Sequence, residues 1–324
     1  MQADSFPRWV GDVGGTNARF ALQRAPGAEL TSIDTLPAAD HPTLQDAMAH
    51  YLQTHSPTVR PRWCAIGIAN PIVGDHVQMT NHHWSFSIEA VRQTLGLERL
   101  LLINDFTALA LSLPSLKPAE LRQVGGGAVV DGAPVGLIGP GTGLGVSGLL
   151  RVPGSERVVP LNGEGGHVSL GGATPREDAV IAALRQRYGH ASAERALSGP
   201  GLVSLYEALC QVDRATAQPL SAAEVSERAV AASDAHCVEA LDMFFALLGS
   251  VAGNLALSLG TRGGMYIGGG IVPRLGDRID RSTFRERFVA KGRFRDYLQA
   301  MPTFVVQAST SPALLGALRA LDDL

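Results

Sequence analysis

Val10-Gly11-Asp12-Val13-Gly14-Gly15-Thr16-Asn17-Ala18-Arg19 decides the fold, because its design returns at Gly139-Pro140-Gly141-Thr142-Gly143-Leu144-Gly145. In the first copy, Trp9–Val13 and Ala18–Gln23 read as two short strands joined by Gly14, Gly15, Thr16 and Asn17, which spells a β-hairpin. Outward from it, Leu30–Leu36 fits a third strand, and Thr43–His55 a helix with Thr43 as N-cap. Trp63–Ala69 reads as a buried strand, Leu100–Ile103 as another, and Asp105–Leu113 as a helix before Pro114 and Pro118 break the pattern. That is a βββαβα unit, a mixed α/β domain.

The second copy begins again with a strand at Gly136–Ile138, the glycine tip, and a strand at Leu144–Leu150. Helices follow at about Pro175–Tyr188, Gly201–Cys210, Ala222–Ala232 and His236–Leu259. The strand Met265–Ile267 runs into Gly268-Gly269-Gly270, and the chain closes with a strand at Phe304–Gln307 and a helix at Pro312–Leu321. A length of 324 residues suits two domains. The expected division is a small α/β domain at 1–112, completed by a C-terminal helix at about 306–324, and a larger α/β domain at 113–305 with helical insertions.

Composition narrows the partners. Hydrophobic residues are 45% and charged residues 18%, enough apolar material for a packed core. A net charge of -3 gives no electrostatic case for nucleic acid or an anionic membrane. Cys64, Cys210 and Cys237 are far apart with no C-x-x-C pair, so neither a disulfide framework nor a zinc site is expected. Buried thiols in a reducing cytosol are the plain reading, hence a cytoplasmic protein. The residues from Met1 to Gly11 lack the apolar run of a signal peptide. Met243–Thr261 approaches membrane-spanning length, but its Asn254, serines and glycines point to a buried core helix.

The chemistry rests on combinations. No G-x-x-x-x-G-K-[ST] occurs, and neither lysine, Lys117 or Lys291, sits in a glycine loop, which excludes a P-loop enzyme. A dinucleotide fingerprint needs a helix after its glycines, and after Gly143 the residues favour a strand. Two glycine hairpins serve better: glycines let backbone N–H groups approach phosphate oxygens, and Thr16 and Thr142 add hydroxyls. Asp12, just before the first tip, can hold Mg2+ directly or through water. Either hairpin alone would be an ordinary turn. Asn104-Asp105 follows a strand and precedes a helix, so Asp105 either caps that helix or accepts a proton from an attacking hydroxyl, or does both. Glu164-Gly165-Gly166-His167 carries two internal glycines and reads as a loop, with an acceptor and a switchable donor suited to a polyhydroxylated ligand. Glu194 alone is a surface acid before the turn Ser198-Gly199-Pro200-Gly201. Gly268, Gly269 and Gly270 offer a flat backbone for a purine, or simply a turn into a helix.

In order along the chain, these segments resemble bacterial-type glucokinases. The first hairpin is similar to their first phosphate motif, Leu102-Ile103-Asn104-Asp105-Phe106 to their catalytic segment, and Gly139–Gly145 to their second phosphate motif. Asn162-Gly163-Glu164-Gly165-Gly166-His167 matches the glucose loop, Ser192-Ala193-Glu194-Arg195 the segment with a further glucose carboxylate, and Ile267–Ile271 the adenosine motif. The resemblance covers essentially the whole chain. It implies a duplicated ribonuclease H-like, actin-like ATPase fold, two domains with a cleft between them, and a homodimer. It implies that Asn104, Asp105, Glu164, His167 and Glu194 bind glucose, so that glucose bridges the domains, with Asp105 as base. ATP would be held at Asp12, Gly14, Gly15, Thr16, Asn17, Gly141, Thr142, Gly143, Gly268, Gly269 and Gly270, with Mg2+ at Asp12. A related repressor and kinase family carries a zinc-binding cysteine cluster after its Glu-x-x-His. Here Val168-Ser169-Leu170-Gly171-Gly172 follows instead, so no zinc is expected.

Three rivals remain in view. A kinase of another hexose on the same fold is the nearest. A sugar-responsive regulator needs a DNA-reading module, and the first phosphate strand starts too early to leave room for one. An actin-like ATPase would lack the use that the Glu164/His167 pair suggests.

Overall fold

The computed structural model describes residues 5–308 and 311–323. Met1–Asp4, on which part of the N-terminal reading falls, and residues 309, 310 and 324 within the C-terminal segment lie outside them. Thirteen strands are described: β1 (Arg8–Val13), β2 (Asn17–Gln23), β3 (Leu30–Pro37), β4 (Trp63–Ile68), β5 (His76–Gln78), β6 (Ser85–Ser87), β7 (Arg99–Asn104), β8 (Leu121–Gln123), β9 (Val135–Pro140), β10 (Leu144–Arg151), β11 (Val158–Asn162), β12 (Met265–Ile267) and β13 (Thr303–Val306). The chain forms two compact units: Met1–Lys117 with Gly154–Asn162 and Ala308–Leu324, and Pro118–Pro153 with Gly163–Gln307.

The first unit holds a sheet in the order β3-β2-β1-β4-β7. β1 and β2 pair antiparallel, Val13 opposite Ala18, while β1–β4 and β4–β7 are parallel. Alternation puts successive residues of β1 on opposite faces, and both faces are covered. Trp9 stacks on Tyr51 at 5.7 Å, with Phe20 tilted against both, on the side of the helix Leu44–His55. Val10, Ala21 and Ala65 pack on Leu314, Ala317 and Leu321 of the final helix, Pro312–Asp323. Both faces being buried, β4 reads as a continuous apolar run. Thr43 caps the first helix by accepting from the Asp46 N–H at 3.1 Å.

The second unit repeats the plan. β9 and β10 form an antiparallel hairpin, Pro140 opposite Leu144, and β9 then pairs in parallel with β12, and β12 with β13. β8 adds an antiparallel edge. A hairpin feeding two parallel strands therefore occurs twice, as the duplicated fold expects. The helix Ala235–Leu259 is long and apolar enough to cross a membrane, but 67% of its most apolar window is buried inside the protein, so it is a core helix. Gly260, in the left-handed region at φ 66°, ends it.

Several local readings change. Ser198-Gly199-Pro200-Gly201 is the first turn of the helix Gly199–Val212 rather than a free turn, because Ser198 caps it through the Gly201 N–H and proline is tolerated there. The Glu164 loop contains one 3-10 turn, Gly165–His167, since the His167 N–H donates to the Glu164 carbonyl at 3.0 Å. The β5–β6 hairpin and the helix Ile88–Thr94 have no counterpart in the sequence reading. Gly154–Asn162 sorts with the first unit because Arg157 donates to the Asp323 carbonyl at 2.7 Å and Thr107 Oγ1 to Asn162 Oδ1 at 2.8 Å.

The final helix crosses Asp105–Ser112 so closely that a Cβ on Gly316 would stand 1.6 Å from the Ala108 carbonyl oxygen. Alanine ordinarily favours a helix over glycine by about 1 kcal/mol, but overpacking of this kind costs about 1–3 kcal/mol or more. We expect Gly316→Ala to melt several degrees lower by calorimetry. An unchanged or raised Tm would mean that the two helices part freely.

Candidate active site

In the first unit, Asp12 is the next-to-last residue of β1, beside the hairpin tip. Ser311 Oγ donates to its Oδ2. Burial pushes the Asp12 carboxyl above the usual carboxylate range, against the opposing pull of the Ser311 hydrogen bond and the Arg19 charge. The tip closes with the Gly14 N–H donating to the Asn17 carbonyl at 2.9 Å. Gly15 is forced to be glycine by close approach, since a Cβ there would lie 2.6 Å from the Asn81 carbonyl oxygen. Thr16 and Asn17 are exposed.

Asn104 and Asp105 meet at the junction of β7 and the helix Asp105–Ser112. Asn104 is the N-cap, its Oδ1 accepting from the Phe106 N–H at 2.9 Å and the Thr107 N–H at 3.3 Å. The cap is therefore Asn104, one residue earlier than the capping role considered for Asp105. Asp105 occupies the first helical position, and its Oδ1 accepts from the Phe106 N–H at 2.9 Å. A helix N-terminus favours a negative charge at that place. A residue the sequence reading passed over supports the pair. Buried Asn70 accepts from both the N–H and the hydroxyl of Thr80, at 3.1 and 2.8 Å, and its carbonyl faces Asn104 Nδ2 at 3.5 Å.

In the second unit, Glu164 and His167 are exposed on a turn pressed against β10, where a Cβ on Gly166 would lie 2.2 Å from the Leu144 carbonyl oxygen. The chain just beyond this turn is stitched to the segment that carries Glu194: the Ala193 N–H donates to the Val168 carbonyl and the Leu170 N–H to the Ala191 carbonyl, both at 2.9 Å. Glu194 Oε2 accepts from the Leu144 N–H at 2.9 Å. The sugar-loop residues and Glu194 are thus brought together against the second hairpin.

That hairpin also opens on a cavity of about 1020 Å3, at the upper end of small-ligand sites. Gly141, Thr142 and Gly270 contribute to its lining, which unites the second phosphate motif with the adenosine motif. Gly268 and Gly269 form the turn beside it, the Gly268 N–H donating to the Ile138 carbonyl at 2.8 Å. The sequence reading missed the remaining walls, supplied by the helices Gly199–Val212 and Ala222–Val230 and by Ile271, Arg274 and Leu275. No spacing rule links such separated segments, so the sequence carries no signal for them.

Among the described residues no group of three or more His, Cys, Asp or Glu side chains gathers to hold a metal. The three cysteines are buried and free, and burial pushes the Cys237 thiol up to about 11. A single carboxylate beside a phosphate-type loop fits Mg2+, which keeps much of its water and leans on substrate phosphates.

A sheet plan used twice, each time with a glycine hairpin at the ligand, is that of the actin-like ATPases, and a Glu/His turn clamped to one hairpin suits a hydroxylated acceptor. The class is therefore a sugar kinase. The glucokinase family model matches residues 9–324. The chain is 56% identical to the glucokinase of Aromatoleum aromaticum, over 99% of this chain and 96% of that one. It is 54% identical to the glucokinase of Chromobacterium violaceum, over 99% and 90%. A crystal structure of glucokinase from an Antarctic psychrotroph superposes with a TM-score of 0.89 at 37% identity, covering 98% of this chain and 99% of that one. The chain belongs to the glucokinase family.

The raised Asp12 carboxyl has a definite sign. Its native form holds a proton more tightly than the unfolded chain does, so the ionised carboxylate costs stability once the pH passes the ordinary value of 3.8. Without nucleotide or divalent cation, Asp12→Asn should melt higher than the parent at pH 7. The gain should shrink as the pH falls toward 4. A variant that melts lower at pH 7 would contradict the burial argument.

Proposed function

We propose that Asp105 is the general base with which this glucokinase transfers the terminal phosphate of ATP to the 6-hydroxyl of glucose. One observation carries the assignment: Asp105 opens a helix at the carboxyl end of a parallel strand, where the Phe106 N–H orients its carboxylate. As the 6-oxygen attacks the γ-phosphorus, its proton passes to Asp105 and the bond to the β-phosphate oxygen breaks, leaving ADP. Asn104, Asp105, Glu164, His167 and Glu194 bind the sugar in this reading. The cap fixes Asn104, and the Leu144 amide fixes Glu194, so both enter the reaction already positioned.

Asp12, Gly14, Gly15, Thr16 and Asn17 at one hairpin, and Gly141, Thr142 and Gly143 at the other, hold the phosphates. Gly268, Gly269 and Gly270 bear the nucleoside. The Gly14 N–H is spent on the turn, which leaves the donor role there to Gly15 and Thr16. Asp12 would hold Mg2+, directly or through water, and the ion supplies neutralisation of phosphate charge. The two compact units are the two domains of the expected fold in this reading. The cytoplasm fits three buried free thiols. A homodimer rests on the family resemblance alone, while the expectation that zinc plays no part rests on that resemblance and on the cysteine spacing.

Asp105→Asn retains hydrogen bonding but not the accepting charge. We expect kcat to fall about 100-fold or more with glucose still bound, measured by a coupled assay and by calorimetric titration. Near-normal turnover would remove Asp105 from its role. Glu164→Gln and His167→Ala should each raise the KM for glucose far more than that for ATP, because a site built of hydrogen-bonding groups loses most when one is left unpaired. Equal effects on both substrates would place these residues outside the sugar site.

A further inference from the structure

Thr107 stands where two hydrogen bonds meet. Its N–H donates to Asn104 Oδ1 at 3.3 Å, and its hydroxyl donates to Asn162 Oδ1 at 2.8 Å. A helical threonine or serine can instead close its hydroxyl onto a carbonyl of the preceding turn. Ser112, in the same helix, does so, donating to the Leu109 carbonyl at 2.6 Å. Thr107 reaches out of the helix Asp105–Ser112 to the last residue of β11, 55 positions along the chain. It is buried, so water does not replace this partner if it is lost.

The place of Asn162 gives that bond a consequence. Asn162 ends both β11 and the segment Gly154–Asn162 of the first unit. Only Gly163 separates it from Glu164, and glycine is the residue least able to stiffen such a link. Whatever holds Asn162 therefore fixes the point from which the chain enters the Glu164 turn. Just before the other end of β11, Arg157 donates to the Asp323 carbonyl at 2.7 Å, so the strand is pinned at both ends. On the helix side, Thr107 lies two residues after Asp105, in a first turn that the Asn104 cap holds rigid. One buried hydroxyl thus ties the entry of the Glu164 turn to the helix that Asp105 opens.

We propose that Thr107 and Asn162 are a positioning pair for glucose. Their hydrogen bond holds the entry of the Glu164 turn in register with Asp105, and neither residue has to touch the reacting atoms. A shift of about 1 Å in such a constellation is enough to weaken binding and turnover. The inference rests on the glucose reading of Asp105 and Glu164.

The test is a double-mutant cycle on the full chain, with glucose and ATP each titrated at saturation of the other. Thr107→Val replaces the hydroxyl by a methyl group, and Asn162→Ala removes the acceptor. Each should raise the KM for glucose about 5-fold, the worth of one hydrogen bond, and leave the KM for ATP unchanged. The double variant should be no worse than the poorer single one, because both changes delete the same bond. Thr107→Ser keeps the hydroxyl and should restore the parent KM. A merely structural role would lower the Tm and the active fraction, and hence kcat, without moving the KM for glucose against that for ATP. Asn162 is exposed, so Asn162→Ala leaves the core intact and carries the test alone if Thr107→Val does not fold. An Asn162→Ala variant with the parent KM for glucose, effects that multiply in the double variant, or a Thr107→Ser variant as poor as Thr107→Val would each overturn the pair. A parent that does not phosphorylate glucose would overturn the glucose reading itself.

Discussion

The amide of Leu144 gives its hydrogen to the Glu194 carboxylate at 2.9 Å, and much of the second unit depends on that bond. A hydrogen bond to a charged acceptor contributes about 1.5–3 kcal/mol, and an amide left without a partner costs about as much. Three residues of the hairpin gather elements from far along the chain. Leu144 takes Glu194 on its N–H and backs Gly166 with its carbonyl, and Gly141 accepts from the first amide of the helix Gly199–Val212. Gly143 has no room for a side chain, because a Cβ there would lie 2.5 Å from Glu194 Oε2. The hairpin that would present amides to phosphate in the proposed reading is thus the same object that positions Glu194 and the Glu164 turn. Displacing one displaces the other.

The first unit solves a different problem at its own hairpin. It keeps a carboxylate at Asp12 where burial opposes its charge. The unit tolerates this because Ser311 donates to it and Arg19 lies within electrostatic reach. Neither relief is complete, so the protein carries a group that would be more stable uncharged. Such a cost is common where a site must attract a cation. Its neighbours are correspondingly rigid: Asn81 blocks any side chain on Gly15, and Asn70 holds Thr80 by two hydrogen bonds.

What the sequence showed clearly was local. Pro175–Tyr188 and Met265–Ile267 are helix and strand to the residue, since Thr174, Pro175 and Gly189 mark one and glycines the other. Thr43 is the cap that its side chain suggests. Both hairpins stand where glycine between apolar runs puts them. The hidden parts depend on distant partners. β5 and β6 are three residues each, too short for alternation to register. Gly154–Asn162 belongs with the first unit through bonds to residues 55 and 166 positions away. Glu227 and Arg274 look like ordinary helical charges until the cavity wall is assembled. Asn70 drew no reading from the sequence, because its hydrogen bonds to Thr80 could not be inferred from spacing.

Duplication gave two hairpins, and their differences are chemical. The first places an acid, Asp12, within four residues of its threonine. The second has Ile138, Gly139 and Pro140 over the corresponding stretch before Thr142, with no acid at all. Its surroundings are a large cavity whose charged lining residues are Glu227 and Arg274. Two carboxylates near one triphosphate would add repulsion that a single metal ion could not cancel. In the proposed reading, the acid-bearing hairpin would take the cation and the acid-free hairpin would receive phosphate. The topology is shared, and the distribution of charge around it is what distinguishes the two hairpins.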